Sequence, residues 1–518
     1  MKTKILLIIS VLFFGLSSCA NKSIYYIDSV NGDNANSGHS PQKAWASLER
    51  VNITEFLAGD QILFKAGTEY IGQLEPKGSG TAEAPILIDK YGEGDNPAIH
   101  GQGKSLHTLL LKNVEYWEVR NLEITNTGEN REERRRGVII LAEDFGDCHH
   151  IVLDGLEIHH VNGSLVKKDG GGSAILWQNK GNKVKTRFVD LIIENCHLHH
   201  CERNGINSKG YTNRKDWHPS IGVIVRNNLL EQIPGDGIVP IGTDGAIIEH
   251  NVMRDCPDIL SHAEAAAGIW PWSADNTIIQ FNEVSGHKAK WDGQGFDSDF
   301  NCQGTIIQYN YSHDNYGGFL LVCNAGASSG SNVNIGNDNT IIRYNVSIND
   351  GIRPYETNRR SWFAPTMHIS GPVKNTQIYN NVIVIPEKPL KENDRTIVEM
   401  DNWGGPWPES TLFANNIFYV EEKADFYFEG DNKTTFSNNC FFGEFENLKD
   451  DPTAMFENPE FINVAARDTG FEVLKNFMLK DSSPLKGKGV SMVINNLKDI
   501  FGNPVLKEKN PDIGVHQD

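Results

Sequence analysis

Short apolar segments that end on asparagine recur along the chain. The clearest copies are "DNTIIQFN", "QGTIIQYN", "DNTIIRYN" and "KNTQIYNN". Together with weaker copies, the segments end at Asn228, Asn251, Asn282, Asn310, Asn345, Asn381, Asn416 and Asn439. Successive asparagines are 23, 31, 28, 35, 36, 35 and 23 residues apart. A minimum step with variable additions indicates a repeated coil with loop insertions, which is typical of a solenoid.

Each repeat has the same internal order. A strand opens with glycine and an apolar residue, the "TIIxxN" strand follows, and a short third strand leads into a loop that returns to the next glycine. Asparagine tolerates left-handed backbone geometry better than other residues with a side chain. We therefore predict a tight bend with that geometry at each terminal Asn.

This order of strands resembles the right-handed parallel β-helix superfamily, which includes pectate-lyase-like polysaccharide lyases and several glycoside hydrolases. The resemblance covers coils from about residue 100 to 445, and we expect weaker coils to extend in both directions. "YYIDSVNGDNANSGHSPQKAWASLERV", within an opening segment 24–99, and "SSPLKGKG" with "DIFGNPV", within a closing segment 446–518, resemble the flanks of such proteins. We predict an all-β fold, one β-helix domain over 19–518, with both flanks covering the coil ends against edge pairing.

The first residues have the layout of an export signal. "MKTKILLIISVLFFGLSSC" places two lysines before an apolar run that is shorter than the about 20 residues a membrane span needs. "LSSC" resembles a bacterial lipobox, which implies a signal peptide over 1–18, cleavage before Cys19 and lipid attachment to Cys19. We expect a cell-envelope protein that meets the membrane only through this lipid.

Charge and cysteine content narrow the partners. The formal net charge of -19 argues against nucleic acid as a partner. Seven further cysteines form no CxxC pair and are odd in number, so we interpret them as small buried hydrophobes and not as a zinc site or disulfide framework. We expect a monomer.

The segment "KWDGQGFDSDFN" differs from its neighbours "DGIVPIG", "AGIWPWS" and "GGFLLVC" by carrying two aspartates. Because side chains alternate along a strand, Phe296 and Ser298 should point inwards and Asp297 and Asp299 outwards. Applied to the other coils, the same register gives an outward column that includes Lys209, Trp270, Trp272, Leu320, Val322, His368, Ser370, Glu399 and Asp401. Coils about 4.8 Å apart would place a few sugar rings between Trp270 and His368.

The outward column and the loops that precede it suit a glycan. Trp270 and Trp272 could stack on sugar faces, or they could be aromatic residues that a loop covers. Basic residues, Lys290 and Arg353 among them, gather in the return loops, which suits an acidic ligand. We therefore predict an acidic polysaccharide or oligosaccharide as partner, with Trp270, Trp272, Lys209, Arg353, His368 and Asp314 as substrate-binding residues.

His313 and Asp314 complete the candidate chemistry. We place them in the return loop after the aspartate coil, where His313 or Lys290 could remove a proton and Asp314 could orient the histidine. Elimination from a uronate also needs its carboxylate neutralised. In β-helix lyases aspartate clusters often bind calcium for this purpose, so Asp297 and Asp299 are candidate ligands, although calcium takes 6 to 8 oxygens.

Three functions remain open on the sequence. We favour β-elimination on a uronate-containing glycan, by a polysaccharide lyase or by a dehydratase that removes water from a terminal uronate. Hydrolysis by two carboxylates is the alternative, although the motifs of polygalacturonase-type hydrolases are absent. A noncatalytic glycan-binding protein is the third, and it would need the tryptophans and arginines but not His313 or the paired aspartates.

Overall fold

Most coils of the chain contribute one strand to each of three parallel sheets, and the first coils lack the third-sheet strand. The computed structural model describes residues 22–325, 333–357, 359, 362–403, 405–430, 433–492, 497–506 and 509–517. Equivalent strands of successive coils pair in parallel, for example Ile278–Gln280 with Ile306–Gln308 and then with Ile341–Arg343. The predicted all-β parallel β-helix is confirmed.

The first sheet contains the "TIIxxN" strands. It has 15 strands: Ile24–Ile27, Gln61–Lys65, Ile86–Tyr91, Trp117–Arg120, Asp147–Asp154, Arg187–Glu194, Ser220–Arg226, Thr243–Asp244, Ile247–Glu249, Ile278–Gln280, Ile306–Gln308, Ile341–Arg343, Gln377–Tyr379, Thr411–Ala414 and Thr434–Ser437.

The second sheet follows the corner after each asparagine. Its strands are Glu69–Ile71, Ala98–His100, Glu123–Asn126, Glu157–Asn162, His197–Glu202, Leu229–Glu231, Val252–Arg254, Glu283–Ser285, Tyr311–His313, Val346–Ile348, Val382–Ile385, Ile417–Phe428 and Cys440–Glu446.

The third sheet contains the glycine-opened strands. They are His107–Lys112, Arg136–Glu143, Ser173–Lys180, Asn204–Lys209, Ile238–Val239, Gln294–Ser298, Gly318–Cys323, Met367–Ser370, Thr396–Asp401 and the second half of Ile417–Phe428. Ile269 continues the sheet by bridging Ile238 to Phe296.

Small elements lie outside the three sheets. They are the helix Leu48–Asn52, the 3-10 helices Pro41–Lys43 and Phe471–Phe477, and the paired short strands Glu55–Phe56 with Lys77–Gly78, Ala265–Ala266 with Trp291–Asp292, and Asn337–Asp338 with Val373–Lys374.

Aliphatic stacks fill the interior of the coils. The middle isoleucines of successive "TIIxxN" strands, Ile279, Ile307 and Ile342, are fully buried and lie directly above one another. Burying one such side chain stabilises the fold by about 1.5–3 kcal/mol. The recurring pattern therefore encodes the core as well as the repeat.

A ladder of buried asparagines runs beside these stacks. The side-chain oxygen of each asparagine accepts the backbone N–H and the amide N–H of the asparagine one coil earlier; Asn310 does so for Asn282 at 2.9 and 3.1 Å. The amide nitrogen of Asn310 also donates to the carbonyl of Ile279 at 2.9 Å. Each asparagine therefore satisfies buried backbone groups that the corner leaves without ladder partners.

The left-handed conformation predicted at each terminal asparagine is wrong by one position along the chain. The residue before each ladder asparagine takes the left-handed conformation, as at Phe281, Tyr309 and Tyr344 with φ of 53°, 57° and 53°. The ladder asparagine must direct its side chain inwards, so the preceding residue makes the turn. Its aromatic side chain then lies on the outside, where Phe281 and Tyr309 stack at 4.9 Å.

Weaker coils precede the regular coils that start near residue 100, as expected. Ile24–Ile27 already pairs with Gln61–Lys65, which pairs with Ile86–Tyr91. The helix Leu48–Asn52 buries Leu48 and Val51 in the same core as these strands. The opening segment is thus part of the solenoid and covers its first coil.

The closing segment lies along the side of the coils. Phe461, Leu474 and Phe477 pack in one cluster with Tyr309, Tyr344 and Tyr379 of successive coils. Backbone carbonyls of the segment accept hydrogen bonds from the coil surface, such as Lys498 from the Tyr309 hydroxyl at 2.7 Å. The outward aromatic residues of the corner create this binding strip, so the segment covers a flank as well as following the last coil.

Two sequence-based expectations concern the membrane and the cysteines. Cys19 lies outside the described residues, and within them no helix is long and apolar enough to cross a membrane. The other seven cysteines are free and buried, as expected for small hydrophobes.

Asn310→Ala should strongly destabilise the fold. It removes the acceptor of two Asn282 donors and the donor to Ile279, and each buried polar group left unpaired costs about 1–3 kcal/mol. We expect a lower melting temperature in differential scanning calorimetry. Asn182→Ala, in an exposed bend, is the control and should melt like the wild type. Equal melting temperatures for all three proteins would contradict a stabilising ladder.

Candidate active site

A pocket of about 220 Å³ lies on the outer face of the third sheet. It is lined by acidic and aromatic side chains with one lysine: Lys167, Asp236, Ala267, Trp270, Trp291, Asp292, Asp297, Asp299, Phe300, Leu321, Cys323 and Trp403. We call it the Asp pocket. Asp297 and Asp299 contribute to it from the strand Gln294–Ser298 and the residue that follows.

The predicted register holds for this strand. Phe296 packs in the core and Ser298 is fully buried, while Asp297 and Asp299 line the pocket. The register is wrong for the next coil, where Leu320 pairs with Phe296 and Val322 with Ser298, so both point inwards. In "GGFLLVC", Phe319 takes the position of Gly295 and shifts the pattern by one residue. Leu321 and Cys323 are consequently the outward residues.

Three carboxyl groups of the Asp pocket have raised pKa values. Burial, followed by the charges of Asp292 and Asp299, raises the pKa of Asp297 well above its usual range. Burial also raises the pKa of Asp292, to about 7, and that of Asp299. Among the described residues, Oδ1 of Asp297 is buried and has no hydrogen-bond partner. Such crowding is unfavourable unless a ligand or a proton transfer uses it.

Asp299 differs from its neighbours in its contacts. One of its oxygens accepts hydrogen bonds from the backbone N–H of Phe300 at 2.6 Å and from the thiol of Cys323 at 3.3 Å. Donors to a carboxylate favour the ionised form. Asp299 is therefore better suited to carry a negative charge than Asp297.

Asp236 is an ionised carboxylate in the lining of the pocket. Its burial would raise its pKa, but Lys167 and Arg203 outweigh this effect and lower it. Arg203 donates to Asp236 at 2.8 Å from a fully buried position, and Lys167 lies 3.4 Å from the same oxygen. Trp270 donates its indole N–H to the other oxygen at 3.2 Å. Asp236 thus fixes a wall of the pocket.

Tryptophans form the apolar walls. Trp270 is buried, and the ammonium of Lys167 lies 4.8 Å from its ring centre. Trp291 and Trp403 line the same pocket, and Trp403 is 38% exposed. Aromatic faces beside carboxylates are typical of sites that hold a sugar ring by stacking and hydrogen bonding.

A second pocket of about 340 Å³ adjoins the first across Lys167. We call it the Lys pocket; it contains Arg136, Lys167, Lys209 and Trp272, among other residues. Lys209 and Trp272 therefore lie outwards as predicted, but in this pocket and not beside Asp297. The two pockets lie next to each other on the outer face of the third sheet and share Lys167.

Comparisons with known proteins agree with the architecture. Residues 173–383 match the family model described as right handed beta helix region. The chain is a right-handed parallel β-helix protein. A curated relative, lacto-N-biosidase from Bifidobacterium longum subsp. longum, is 28% identical over 498 residues. The match covers 78% of this chain but only 29% of the relative, so the chain spans less than a third of that protein.

Two solved structures share the β-helix fold. GH136 lacto-N-biosidase from Eubacterium ramulus has a TM-score of 0.59 and 23% identity, over 80% of this chain and 68% of that one. XylC in complex with xylose has a TM-score of 0.56 and 13% identity, over 95% of this chain and 98% of that one. At these identities the likeness shows the fold.

We predicted His313 and Asp314 in the return loop of the β-helix. The structure instead places His313 at the end of the second-sheet strand Tyr311–His313, with Asp314 directly after it. His313 contacts Asp314 at 2.8 Å and Glu283 at 3.2 Å. Although burial lowers the pKa of His313, these two carboxylates outweigh it and raise the pKa to about 9. Glu283 also accepts the N–H of Gly470, so the closing segment covers this group. Neither His313 nor Asp314 lines the Asp pocket.

Lys290 and Arg353 tether loops. The ammonium of Lys290 donates to the carbonyl of Leu260 at 2.9 Å and pairs with Asp258 at 3.1 Å. The buried guanidinium of Arg353 donates to the carbonyls of Phe363 at 2.7 Å and Asp292 at 2.6 Å. Arg353 therefore positions the backbone of Asp292, whereas we predicted that it binds substrate.

His368 lies one coil beyond Leu321 in the outward column, as predicted. Its Nε2 is 3.1 Å from Asp401, which also pairs with Arg359. Together with Trp403, His368 lines a small cleft next to the Asp pocket. It can therefore influence the pocket through Trp403, whose ring centre is 5.4 Å away.

The predicted calcium site does not fit the geometry. Within the described part of the chain, the groups of three or more ligand atoms lying within 4.8 Å of one another contain histidine and glutamate of the second sheet, and none contains Asp297 or Asp299. One oxygen of Asp299 is also occupied by hydrogen bonds. Calcium needs several converging oxygens.

Several pocket residues were missed by the sequence analysis. Asp292 and Trp291 stand within the segment that drew attention to Asp297, and their proximity was a usable signal. Asp236 opens the quoted segment "DGIVPIG", directly before a third-sheet strand, so the repeat itself marked its position. Lys167 and Trp403 come from loops of other coils, and no local pattern marks them.

Asp297→Asn should stabilise the protein near neutral pH. The raised pKa means that the folded state holds the proton more tightly, so wild-type stability falls as pH rises from about 4, the unfolded pKa, towards the folded pKa. Asparagine does not titrate. We expect a melting temperature above that of the wild type at pH 7.5 and no gain at pH 4.

Asp450→Asn, at an exposed position, should leave the melting temperature unchanged at both pH values. A loss of stability in Asp297→Asn at pH 7.5 would contradict the electrostatic crowding.

Proposed function

We propose that the chain is a glycoside hydrolase that cleaves a glycosidic bond in the Asp pocket. The observation that carries this proposal is the group of three carboxyls with raised pKa values between tryptophan walls. The relative with 28% identity, a lacto-N-biosidase by name, supports the same reaction class. This revises the order of our sequence-based hypotheses, in which elimination came first.

The pKa differences suggest a role for each carboxyl. Glycoside hydrolysis needs one protonated acid and one ionised carboxylate. Asp292, with a pKa of about 7, suits the acid, because a catalytic pKa near the working pH is most effective. Asp299, which accepts hydrogen bonds from Phe300 and Cys323, suits the ionised partner.

The reaction then follows from these roles. Asp292 gives its proton to the glycosidic oxygen as the bond to the anomeric carbon breaks. Asp299 either attacks that carbon or takes a proton from the attacking water, and the products together gain one water. Burial and the charges of Asp292 and Asp299 raise the pKa of Asp297, and in its protonated form Asp297 would donate a hydrogen bond to a sugar hydroxyl.

The Lys pocket would extend the binding site beyond one sugar. Lys167 stands between the two pockets, and Trp272 offers a second aromatic surface. Lys167, Lys209 and Arg136 would bind an acidic group of the glycan, in line with the predicted acidic substrate. The name of the relative makes glycosides of lacto-N-biose the first neutral substrates to test.

Elimination is the second candidate, and the Lys pocket is the observation that favours it. Its cations would neutralise a uronate carboxylate. The predicted bases His313 and Lys290 are engaged outside the Asp pocket, so an ionised aspartate would have to take the C5 proton.

Asp292→Asn and Asp299→Asn should each lower kcat by a factor of about 10² to 10⁴. Asp450→Asn is the control and should keep wild-type turnover. Aryl glycosides with good leaving groups need little protonation, so Asp292→Asn should lose less activity on them than Asp299→Asn does. The wild-type rate should fall above about pH 7 as Asp292 ionises, and this fall should disappear in Asp292→Asn.

Mass spectrometry of the products separates the functions. A gain of water indicates hydrolysis, whereas an unsaturated uronate indicates elimination by a lyase. Intact substrate that has lost one water indicates a dehydratase. Glycan binding without turnover would support the noncatalytic alternative, and wild-type turnover in both variants would remove Asp292 and Asp299 from the site.

We also propose that Cys19 carries a lipid that holds the protein, as a monomer, in the cell envelope. The support is the signal layout and the "LSSC" motif before Ala20. Cys19→Ser should release the chain from the membrane fraction without changing its activity. Wild-type protein without bound lipid by mass spectrometry would contradict the anchor.

A further inference from the structure

Two pairs of consecutive histidines lie on the outer face of the second sheet, and none of the four lines the Asp pocket. His159 and His160 belong to the strand Glu157–Asn162, and His199 and His200 to the next strand, His197–Glu202. His159 is directly paired with His199. The proposed hydrolysis uses none of these residues.

The backbone turns the two imidazoles of each pair towards each other. His160 and His200 have φ of 50° and 53° and stand outside the regular strand pairing. The Nδ1 atoms are 2.6 Å apart in the first pair and 2.9 Å apart in the second. Equivalent rings of the two coils stack, with centres 4.7 Å apart for His159 and His199.

Glutamates fix the protonation of the inner histidines. Nε2 of His159 lies 3.1 Å from Glu123, and Nε2 of His199 lies 3.3 Å from Glu157. A carboxylate accepts, so each Nε2 carries its proton and each neutral ring leaves a lone pair on Nδ1. These lone pairs face the Nδ1 atoms of His160 and His200.

We propose that this histidine cluster binds one divalent late first-row transition metal ion, such as Cu²⁺, Ni²⁺ or Zn²⁺, through ring nitrogens of His159, His160 and His199, with His200 alongside. The ligand atoms of the first three lie within 4.8 Å of one another. Imidazole nitrogen is a preferred ligand of these ions.

The distances suit metal coordination. Two nitrogens that each lie about 2.0–2.1 Å from one ion, at right angles, are about 2.9 Å apart. The His199–His200 separation equals this value, and the His159–His160 separation is 0.3 Å shorter. Right-angled nitrogen ligands are typical of square-planar Cu²⁺ or Ni²⁺, so Cu²⁺ is the most suitable probe.

The surroundings also match those of metal ligands. A histidine that binds metal usually donates its other N–H to a carboxylate, as His159 and His199 do. His160 and His200 are exposed, so an ion can reach the cluster from solvent.

The test is equilibrium binding of Cu²⁺, Ni²⁺ and Zn²⁺ to the untagged chain after treatment with chelator. We expect one ion per chain, a rise in melting temperature with metal concentration, and an axial Cu²⁺ electron paramagnetic resonance signal with nitrogen splitting. Affinity should weaken as pH falls through the histidine range, because protonated imidazole does not bind metal.

His159→Gln with His199→Gln should weaken Cu²⁺ binding about 10-fold or more and remove the nitrogen splitting. The matched control is His149→Gln with His150→Gln, a histidine pair of the first sheet whose ring nitrogens contact Glu115, Asp190 and Glu118. It should bind as the wild type does. Circular dichroism and the metal-free melting temperature check that both variants are folded.

Two outcomes would overturn the proposal. The first is stoichiometric binding that survives in His159→Gln with His199→Gln. The second is that the wild-type chain binds no metal and its histidine resonances show a proton shared between the Nδ1 atoms of each pair. Such a proton would account for the short separations without a metal. Glycan turnover is not a readout here, so failure of the hydrolase proposal leaves this test unaffected.

Discussion

The asparagine ladder is the interaction on which the rest of the structure depends. A parallel solenoid must turn a corner in every coil, and each corner leaves buried backbone groups without strand partners. From Asn228 to Asn439 an inward amide satisfies them and binds the next coil at the same point. The ladder thereby holds successive coils in one register, so that side chains far apart in sequence line up on the outer faces.

The fixed register keeps the carboxyl groups of the Asp pocket close together although they repel one another. Asp292, Asp297 and Asp299 repel one another when ionised, and burial adds to the cost. The aliphatic stacks and the ladder contribute far more stability than this crowding removes, so the strand keeps its place. A rigid scaffold can therefore hold carboxyls with separated pKa values, which acid–base chemistry requires.

Loops complete the site in a way that the strands alone cannot. Arg203, buried between coils, anchors Asp236, and Asp236 in turn holds Trp270 and Lys167. Arg353 holds the backbone of Asp292 from a later return loop. Basic residues in these loops, which we interpreted as ligands for an acidic glycan, partly serve to position the pocket.

The sequence by itself determined the coil. The period of the asparagines, the apolar "TIIxxN" strands and the alternation in "GFDSDF" predicted the fold, the three sheets and the outward Asp297 and Asp299, because these features depend on local periodicity. Only the tertiary structure decided which loops meet above the third sheet. Lys167 and Trp403 reach the aspartates from loops between strands, because such insertions place residues by packing and not by period. His313, three residues after the ladder asparagine Asn310, lies instead on the second-sheet strand that follows the corner. The structure was also needed for the register at Leu320, where Phe319 takes the position of Gly295, and for the left-handed residue before each ladder asparagine, where the amide must point inwards.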